Sequence, residues 1–267
     1  MTAPGGWPAD WIVPDWPAPA GVHAVFTTRT GGVSAPPFDS FNLGDHVQDD
    51  PAAVTANRAR LSEVVGARPV FLRQVHGTGV VRLDARTPDG TEADACLATA
   101  PGQACTIMVA DCLPLLFTDR SGAWVAAAHA GWRGLAGTQG RGVIETTLEA
   151  ARGLAGTFGR GDILAWLGPC IGPAAFEVGP EVQAAFCAHD PAAQACFQPA
   201  PGPGKLLADL PALARQRLRA QGVLQVHGND GSPAWCTVTQ ESRFFSHRRD
   251  AIRLGSTGRM AACIWLG

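Results

Sequence analysis

The sequence predicts a mixed α/β fold (α+β), in which a single domain has a mixed β-sheet core flanked by helices. The chain has 267 residues, 46% of them apolar, which is enough to bury one full core. Short apolar runs typical of buried strands are interleaved with longer segments of helical spacing. Turns typical of hairpins occur as well, and this combination favours a mixed sheet over a purely parallel one.

The predicted elements follow from these runs and from the Gly, Pro and Asp residues that bound them. In chain order they are a strand at 22–28, a helix at 51–66, strands at 70–74, 80–83, 106–110 and 124–128, a helix at 135–152, a strand at 163–167, helices at 180–187 and 210–221, and strands at 223–226 and 260–266.

Two pairs of neighbouring strands are expected from the turns between them. The turn His76-Gly77-Thr78-Gly79 predicts a hairpin of 70–74 with 80–83, with His76 at its tip. The turn 118–122 predicts that 106–110 and 124–128 also pair. Residues 89–94 are polar and acidic and are expected to form a surface loop.

We find no repeat or composition break inside the chain. We therefore expect residues 22–267 to form one catalytic domain, with residues 1–21, rich in Pro and Trp, as an extended arm over its surface. The arm lacks the basic and apolar regions of a secretory signal. The eight cysteines are then expected to be reduced or metal-bound in a cytoplasmic protein.

The charge balance argues against large anionic partners. Lys and Arg (21) nearly equal Asp and Glu (23), and the net charge is −2. Nucleic acid or an acidic membrane surface is therefore not expected as a partner. No apolar run approaches the roughly 18 residues of a membrane span. We expect a small-molecule ligand and a monomer or weak homodimer.

Three potential metal ligands, His76, Cys112 and His129, each follow an apolar run. Zinc takes nitrogen and sulfur ligands tetrahedrally, and three protein ligands would leave the fourth position open for water or substrate. Copper is the alternative metal. On residue types alone, a buried cysteine and two histidines bonded to the backbone remain an open interpretation.

Other polar residues are candidates for substrate binding and proton transfer. Asp111 and His46 are candidates for moving protons, and Gln74 precedes His76 by two positions. Arginines that could bind an anion are Arg29, beside a Gly-Gly turn, and Arg133, at a predicted helix N-terminus. Arg248 and Arg249 are second choices, and a solvated loop arginine is the alternative for Arg29.

Seven segments, in order along nearly the whole chain, resemble the laccase-domain family, also called multicopper polyphenol oxidases or peptidoglycan editing factors. They are 41–47 (FNLGDHV), 74–77 (QVHG), 110–114 (ADCLP), 128–134 (AHAGWRG), 168–173 (GPCIGP), 176–179 (FEVG) and 244–250 (FFSHRRD).

The resemblance implies a fold similar to laccase-domain and cytotoxic-necrotizing-factor-like proteins, with zinc at His76, Cys112 and His129. It also implies phosphorolysis of purine nucleosides, with adenosine deamination and methylthioadenosine cleavage as companion activities. Asn42 and His46 join the substrate-binding candidates through the first segment, and Asp94 is a further candidate for facing the site.

Two other function classes compete with the nucleoside enzyme. A copper oxidase acting on phenols is disfavoured, because the seven histidines include no His-X-His motif. A cysteine hydrolase acting on an amide or cell-wall precursor would use Cys112 as nucleophile and His129 as base. One departure from the family pattern is His247, which stands where Tyr is common, so the preferred base is not predicted.

Overall fold

The computed structural model describes residues 8–155 and 162–267. Its helices are α1 (Pro51–Val65), α2 (Trp132–Ala136), α3 (Val143–Ala155), α4 (Pro180–Cys187), α5 (Leu210–Ala220) and α6 (His247–Leu254). Its strands are β1 (Val22–Phe26), β2 (Arg68–Phe71), β3 (Val80–Arg82), β4 (Ala95–Ala98), β5 (Gln103–Val109), β6 (Leu113–Asp119), β7 (Val125–Ala130), β8 (Ile163–Leu167), β9 (Glu177–Val178), β10 (Phe197–Pro199), β11 (Leu206–Ala208), β12 (Gln225–Gly228) and β13 (Met260–Leu266).

The strands form two large mixed sheets and one small sheet. The six-stranded sheet has the order β12-β8-β6-β7-β4-β3, the four-stranded sheet β1-β13-β5-β2, and the small sheet β10-β11-β9. Parallel pairs (β12 with β8, β3 with β4, β2 with β5) stand beside antiparallel ones. The predicted mixed α/β class is confirmed.

The two large sheets pack face to face, and helices cover their outer faces. Alternate residues of β5, such as Ile107, join the core cluster that contains Leu116 and Val125 of the six-stranded sheet. The intervening residues of β5, such as Met108, pack on the α1 side. Helices α3 and α5 cover the other face of the six-stranded sheet. This alternation follows from the two-residue period of a strand.

The predicted pairing of 106–110 with 124–128 is wrong. The run between them forms β6, and β6 pairs with β7 through the predicted turn. Strand β5 belongs to the other sheet, where it pairs with β13 and β2. Apolar runs buried on both faces look alike in sequence, so they do not reveal which sheet each one joins.

The predicted hairpin around His76 is also wrong. Strand β2 pairs with β5 in the four-stranded sheet, whereas β3 pairs with β4 in the six-stranded sheet. Residues 72–79 therefore cross from one sheet to the other. The chain makes the same passage between β5 and β6, at Ala110, Asp111 and Cys112. A Gly-rich turn between two strands fits either a hairpin within one sheet or a crossing between two sheets. Which of the two forms depends on the strands, distant in sequence, with which each one pairs.

The predicted helix at 135–152 is two helices, α2 and α3. The turn between them contains Gly137 and Gly140, with φ of 65° and 75°, a backbone conformation that glycine adopts without strain. A Cβ on Gly142 would lie 2.1 Å from the carbonyl oxygen of Leu135, so the backbone also packs tightly here.

The described part of the predicted arm packs on the body of the protein. Ile12 and Phe26 exchange backbone hydrogen bonds of 2.9 and 2.8 Å, and Trp11 is buried. Residues 1–7 lie outside the described residues, and the division into arm and domain stays a prediction. In the described chain, no helix has the length and apolar character needed to span a membrane.

Candidate active site

Three predicted ligands converge where the chain passes between the two sheets. His76 lies in the first crossing, Cys112 in the second, and His129 on β7. One donor atom from each lies within 4.8 Å of the other two, and Cys112 Sγ is 3.8 Å from His76 Nε2. Bonds of about 2.1 and 2.3 Å at tetrahedral angles place ligand atoms roughly 3.6 Å apart. The three residues fit one tetrahedral ion with one open position.

The approach of these ligands requires a glycine at position 131. A Cβ there would lie 2.7 Å from His76 Cδ2 and 3.1 Å from Cys112 Sγ. Gly131 directly follows β7 and precedes α2, so the chain turns away from the sheet without filling the space between the ligands. We expect any side chain at this position to displace one of them.

Asp94 holds both histidines. Its carboxylate is fully buried and accepts hydrogen bonds from the backbone N–H groups of Val75, His76 and Gly77, at 3.1, 2.9 and 2.7 Å. The ring of His129 bonds to the same carboxylate through Nδ1 at 2.8 Å. The other ring nitrogen of His129, Nε2, is thereby left for a ligand, as in many carboxylate–histidine–metal arrangements.

The charges of the site follow from these contacts. Burial raises the pKa of the Asp94 carboxyl, but the bonds from His129 and the backbone outweigh burial and lower it. Burial also raises the pKa of the Cys112 thiol, yet His129 and His76 bring it down to about 6. Burial lowers the pKa of His129, while Cys112 and Asp94 raise it to about 9. The metal-free site therefore favours a thiolate, the form of cysteine that binds metal.

Two residues of the crossings have left-handed backbone conformations. His76 has φ of 60° and Asp111 has φ of 89°, which costs on the order of 1–3 kcal/mol for a residue other than glycine. Such strain persists only where the surroundings fix the backbone. Asp94 does this for the first crossing through its three backbone bonds.

The carboxylate of Asp111 fixes the second crossing. It accepts bonds from Thr237 Oγ1 at 2.5 Å and from the backbone N–H of Arg248 at 2.6 Å. The structure therefore places Asp111 as an anchor between the Cys112 turn and the start of α6. Both carboxylate oxygens are occupied, so the proton-transfer role expected from the sequence gains no support and stays a prediction.

Gln74 is likewise committed to the backbone. Its amide donates to the carbonyl of Met108 and accepts from the N–H of the same residue, each at 2.8 Å. The side chain thus continues the pairing of β2 with β5 beyond Phe71 and holds the first crossing against the end of β5. Gln74 also lines the cavity described next, and its predicted contact with substrate stays a prediction.

The ligands open into a cavity of about 630 Å³, a size typical of small-molecule sites. One set of lining residues comes from the loop before α1, from α1, from the four-stranded sheet and from the residue that precedes β13: His46, Arg58, Phe71, Met108 and Arg259. The other set comes from α2, α5, α6 and the segment before β9: Trp132, Arg133, Phe176, Leu210 and Arg248.

Of the predicted substrate-binding residues, His46, Gln74, Arg133 and Arg248 line this cavity, and Arg29 and Asn42 do not. Arg29 is 3.3 Å from Asp39 and stacks over Phe245, in a separate depression of the surface.

Asn42 is fully buried behind the wall of the cavity, where it bonds to backbone groups of Gly44 and Arg259. The structure therefore separates these two from the place where a substrate would meet the metal ligands.

Sequence reasoning missed Arg58 and Arg259, and it named Asp94 only as facing the site. Asp94 lies at the end of the acidic segment predicted to be a surface loop, yet it is fully buried. The signal available for it was the Ala-Asp-Ala triplet at 93–95. Arg259 precedes the last strand without any motif of its own, so only the folded arrangement identifies it.

A two-sheet α/β domain with a His/Cys/His set that could hold one metal ion describes the class of protein, and the sequence assigns the chain to a family. The family model described as multi-copper polyphenol oxidoreductase laccase matches residues 23–267, so the chain belongs to the laccase-domain family, as its motifs predicted.

Its relatives include proteins with a named activity. The chain is 52% identical over 256 residues to a purine nucleoside phosphorylase of Pseudomonas aeruginosa (96% of this chain, 98% of the relative). It is 49% identical to purine nucleoside phosphorylase YfiH of Escherichia coli, with the same coverage. The crystal structure of a Neisseria meningitidis protein superposes with a TM-score of 0.86 at 46% identity, covering 96% of this chain and 99% of that one.

Proposed function

We propose that the protein is a zinc-dependent purine nucleoside phosphorylase, acting on inosine, adenosine and methylthioadenosine. The observation that carries the proposal is the convergence of His76, Cys112 and His129 on the floor of a cavity of about 630 Å³. The names of the relatives at 52% and 49% identity support the reaction.

The three ligands suit zinc better than other divalent metals. Two imidazoles and a thiolate are the nitrogen and sulfur donors that zinc takes in catalytic sites with an open fourth position. When bound, zinc supplies a Lewis acid and lowers the pKa of coordinated water towards neutrality. A companion adenosine deaminase activity would draw on that property, with His46 as the proposed proton carrier.

The protein's own residues bind and orient the nucleoside. Trp132 and Phe176 offer aromatic surfaces in the cavity, and purine rings stack on such surfaces. Asp94 keeps Nδ1 of His129 engaged and the ring direction fixed. Arginines on both sets of lining residues make the cavity suitable for an anionic co-substrate.

Product analysis tests the proposed reaction. The purified protein, loaded with zinc, is incubated with inosine in the presence and absence of inorganic phosphate. We expect hypoxanthine and ribose 1-phosphate only with phosphate, and no base release by Cys112→Ser. Free ribose formed equally fast without phosphate would identify a hydrolase, and no base under either condition would exclude the proposal. Adenosine converted to inosine without phosphate would reveal the deaminase activity.

A cysteine hydrolase is a second candidate, favoured by one observation. Cys112, His129 and Asp94 have the order of nucleophile, base and orienting carboxylate, and the pKa of the thiol is near 6. A cell-wall precursor would be the substrate. Removal of metal with a chelator distinguishes the two, because the hydrolase would keep its activity and the zinc enzyme would lose it.

Multicopper oxidation lacks such support. Among residues 8–155 and 162–267, His76, Cys112 and His129 form the only cluster of three or more metal-binding side chains, whereas a multicopper oxidase needs several sites. We also propose a cytoplasmic location, which rests on the sequence alone.

A further inference from the structure

Five arginines line the cavity, and four of them already have partners or lie in solvent. Arg58 is 3.2 Å from Asp45, and Arg248 donates to the carbonyl of Glu177. Arg133 is exposed and stacks on Trp132, 4.4 Å from the ring centre. The fourth, Arg73, is exposed and pairs with Glu92. Arg73 and Arg133 therefore lie in solvent, and Arg248 contacts a backbone carbonyl, whereas Arg58 keeps one buried guanidinium nitrogen without a hydrogen-bond partner.

Arg259 differs from Arg58 and Arg73 in having no carboxylate partner, and from Arg133 in being shielded from solvent. It is partly buried, and one guanidinium nitrogen donates to the carbonyls of Thr257 and Gly258, at 3.0 and 3.2 Å. Across the described residues, no carboxylate lies within ion-pair distance of it, and its other guanidinium nitrogens have no hydrogen-bond acceptor. A guanidinium removed from water without a counter-ion is stabilised by any anion that reaches it.

Arg259 lines the same cavity as His76, Cys112 and His129. Burial lowers its pKa, and the negative groups that oppose this effect are Cys112 and Asp111. Neither is available as a permanent partner, because the Asp111 oxygens hold Thr237 and the N–H of Arg248, and Cys112 is a metal ligand. The charge of Arg259 is therefore left without a fixed counter-ion in the cavity that holds the three proposed metal ligands.

The chain fixes Arg259 by means of Asn42 and Gly44. Asn42 Oδ1 accepts from the N–H groups of both Arg259 (2.8 Å) and Gly44 (2.9 Å), and its amide donates to the carbonyl of Gly44 at 3.0 Å. A Cβ on Gly44 would lie 2.8 Å from Arg259 Cγ. The loop before α1 thus packs directly against the arginine stem and sets its direction.

Two further hydrogen-bond donors, His46 and Arg58, belong to the same set of cavity-lining residues as Arg259. Burial, followed by the charges of Arg259 and Arg58, lowers the pKa of His46. Arg58 is held by the carbonyl of Leu43 at 2.9 Å and stacks over Phe71. An imidazole and two guanidinium groups supply several N–H donors for the acceptor oxygens of phosphate.

We propose that Arg259, with His46 and Arg58, is the binding site of the phosphate co-substrate, and that Asn42 and Gly44 position Arg259. The inference rests on the proposed phosphorylase function. A phosphate oxygen held there forms the new bond to C1′ of the ribose while the bond from C1′ to N9 breaks. The electron pair of that bond stays on the purine, and the proton lost by H₂PO₄⁻ ends on the base.

The test compares arginines on the two sets of lining residues. In Arg259→Gln we expect the KM for phosphate to rise about tenfold to a hundredfold, as for the loss of a charge-assisted contact, with the KM for inosine changed less than about threefold. Arg259→Lys recovers part of the loss, because lysine keeps the charge without the planar fork. Gly44→Ala shifts the phosphate KM in the same direction by a smaller factor.

The matched variants are Arg133→Gln, from the other set, and Arg82→Gln, an exposed arginine outside the cavity. A rise in phosphate KM with Arg133→Gln and none with Arg259→Gln would overturn the assignment. Arg82→Gln measures the effect of removing a surface charge, and a rise equal to that of Arg259→Gln would also overturn it.

Binding of inorganic phosphate is measured separately by thermal unfolding, without nucleoside. We expect phosphate to raise the Tm of the wild-type protein and of Arg133→Gln, but not that of Arg259→Gln.

If the wild type releases no base yet shows an Arg259-dependent shift in Tm, the phosphorylase proposal fails and the anion site stands. If the wild type is active and Arg259→Gln keeps both the phosphate KM and the Tm shift, the subsite inference fails alone. Should Arg259→Gln not fold, Arg259→Lys and Gly44→Ala decide the question.

Discussion

The two histidines of the site are held in different ways. His129 belongs to β7, pairs with Pro114 across the sheet and is 3% exposed. His76 is exposed, lies outside any strand and has φ of 60°. One is positioned by regular structure, the other by backbone bonds to one distant carboxylate. The sheet therefore fixes His129, whereas the position of His76 depends on the backbone hydrogen bonds to Asp94.

The largest expected effect comes from Asp94→Asn, which removes what the two histidines share. The amide nitrogen that replaces one carboxylate oxygen cannot accept a hydrogen bond, so at least one of the N–H groups of residues 75–77 loses its partner. We expect the free energy of unfolding to fall by about 3 kcal/mol or more and zinc affinity to fall about tenfold to a hundredfold. Chemical denaturation measures the free energy of unfolding, and competition with a chromophoric chelator measures the zinc affinity. Asp84→Asn, at an exposed position, serves as the control. Wild-type zinc affinity would refute the shared role of Asp94.

Replacing each histidine by alanine tests the comparison directly. Both variants should lose zinc, because each removes a ligand. His129→Ala should also destabilise the metal-free protein by about 2–4 kcal/mol, since it leaves a cavity and removes one hydrogen bond of the buried Asp94 carboxylate. His76→Ala should cost less than about 1 kcal/mol. Equal losses of stability in urea would show that the two ligands are supported alike.

Gln74→Ala tests how the first crossing, which carries His76, is held in place. It removes two hydrogen bonds to Met108 and should cost about 1–2 kcal/mol. Zinc affinity should fall severalfold while the spectrum of the folded protein stays unchanged. Gln198→Ala, an exposed glutamine on β10, is the matched control. An effect on the KM for inosine without any effect on zinc would instead support direct contact of Gln74 with substrate.

Much of the fold was predictable, because most elements depend on local apolar patterns and turn residues. Helix α1, α4 and α5 and strands β8 and β13 coincide closely with the predicted segments. The errors at β5 and at residues 72–79 have one cause: the choice of partner sheet depends on contacts distant in sequence.

In the candidate site, too, local sequence patterns predicted some features, and contacts distant in sequence determine the others. His76, Cys112 and His129 were predicted as ligands because few side chains bind zinc and because their motifs resemble a family, and the structure brings their side chains together. The occupation of Gln74 and Asp111 by backbone groups, and the isolation of Arg259, follow from contacts that no local pattern contains. Asn42 shows this most clearly: its motif was recognised, but its bonds face the loop and Arg259 rather than the cavity.

The smallest expected effect concerns the start of α6, which anchors the Cys112 turn. Burial raises the pKa of Asp250, but Arg249, the N–H of Ser246 and the hydroxyl of Thr257 outweigh burial and lower it. The ionised form is therefore stabilised by folding. Its contribution is complete above the unfolded pKa of about 3.9 and is lost as the pH falls through the lower folded value.

Asp250→Asn should accordingly flatten the fall in stability below about pH 4 and change little in its slope near neutrality. Denaturant midpoints measured across acidic buffers show the difference. A variant whose stability declines with acid as steeply as that of the wild type would exclude Asp250 as the titrating group.

The two passages between the sheets have a consequence for the order of folding. Because His76 and Cys112 lie in the passages and His129 lies on the inner face of β7, the ligand set does not exist until the sheets have docked. Metal bound at this site would hold the two sheets together after they dock. Before docking, the three ligands are not assembled, so metal would bind the chain only weakly. Zinc should therefore slow the unfolding rate far more than it speeds folding, so that the lifetime of the native state depends on the metal supply.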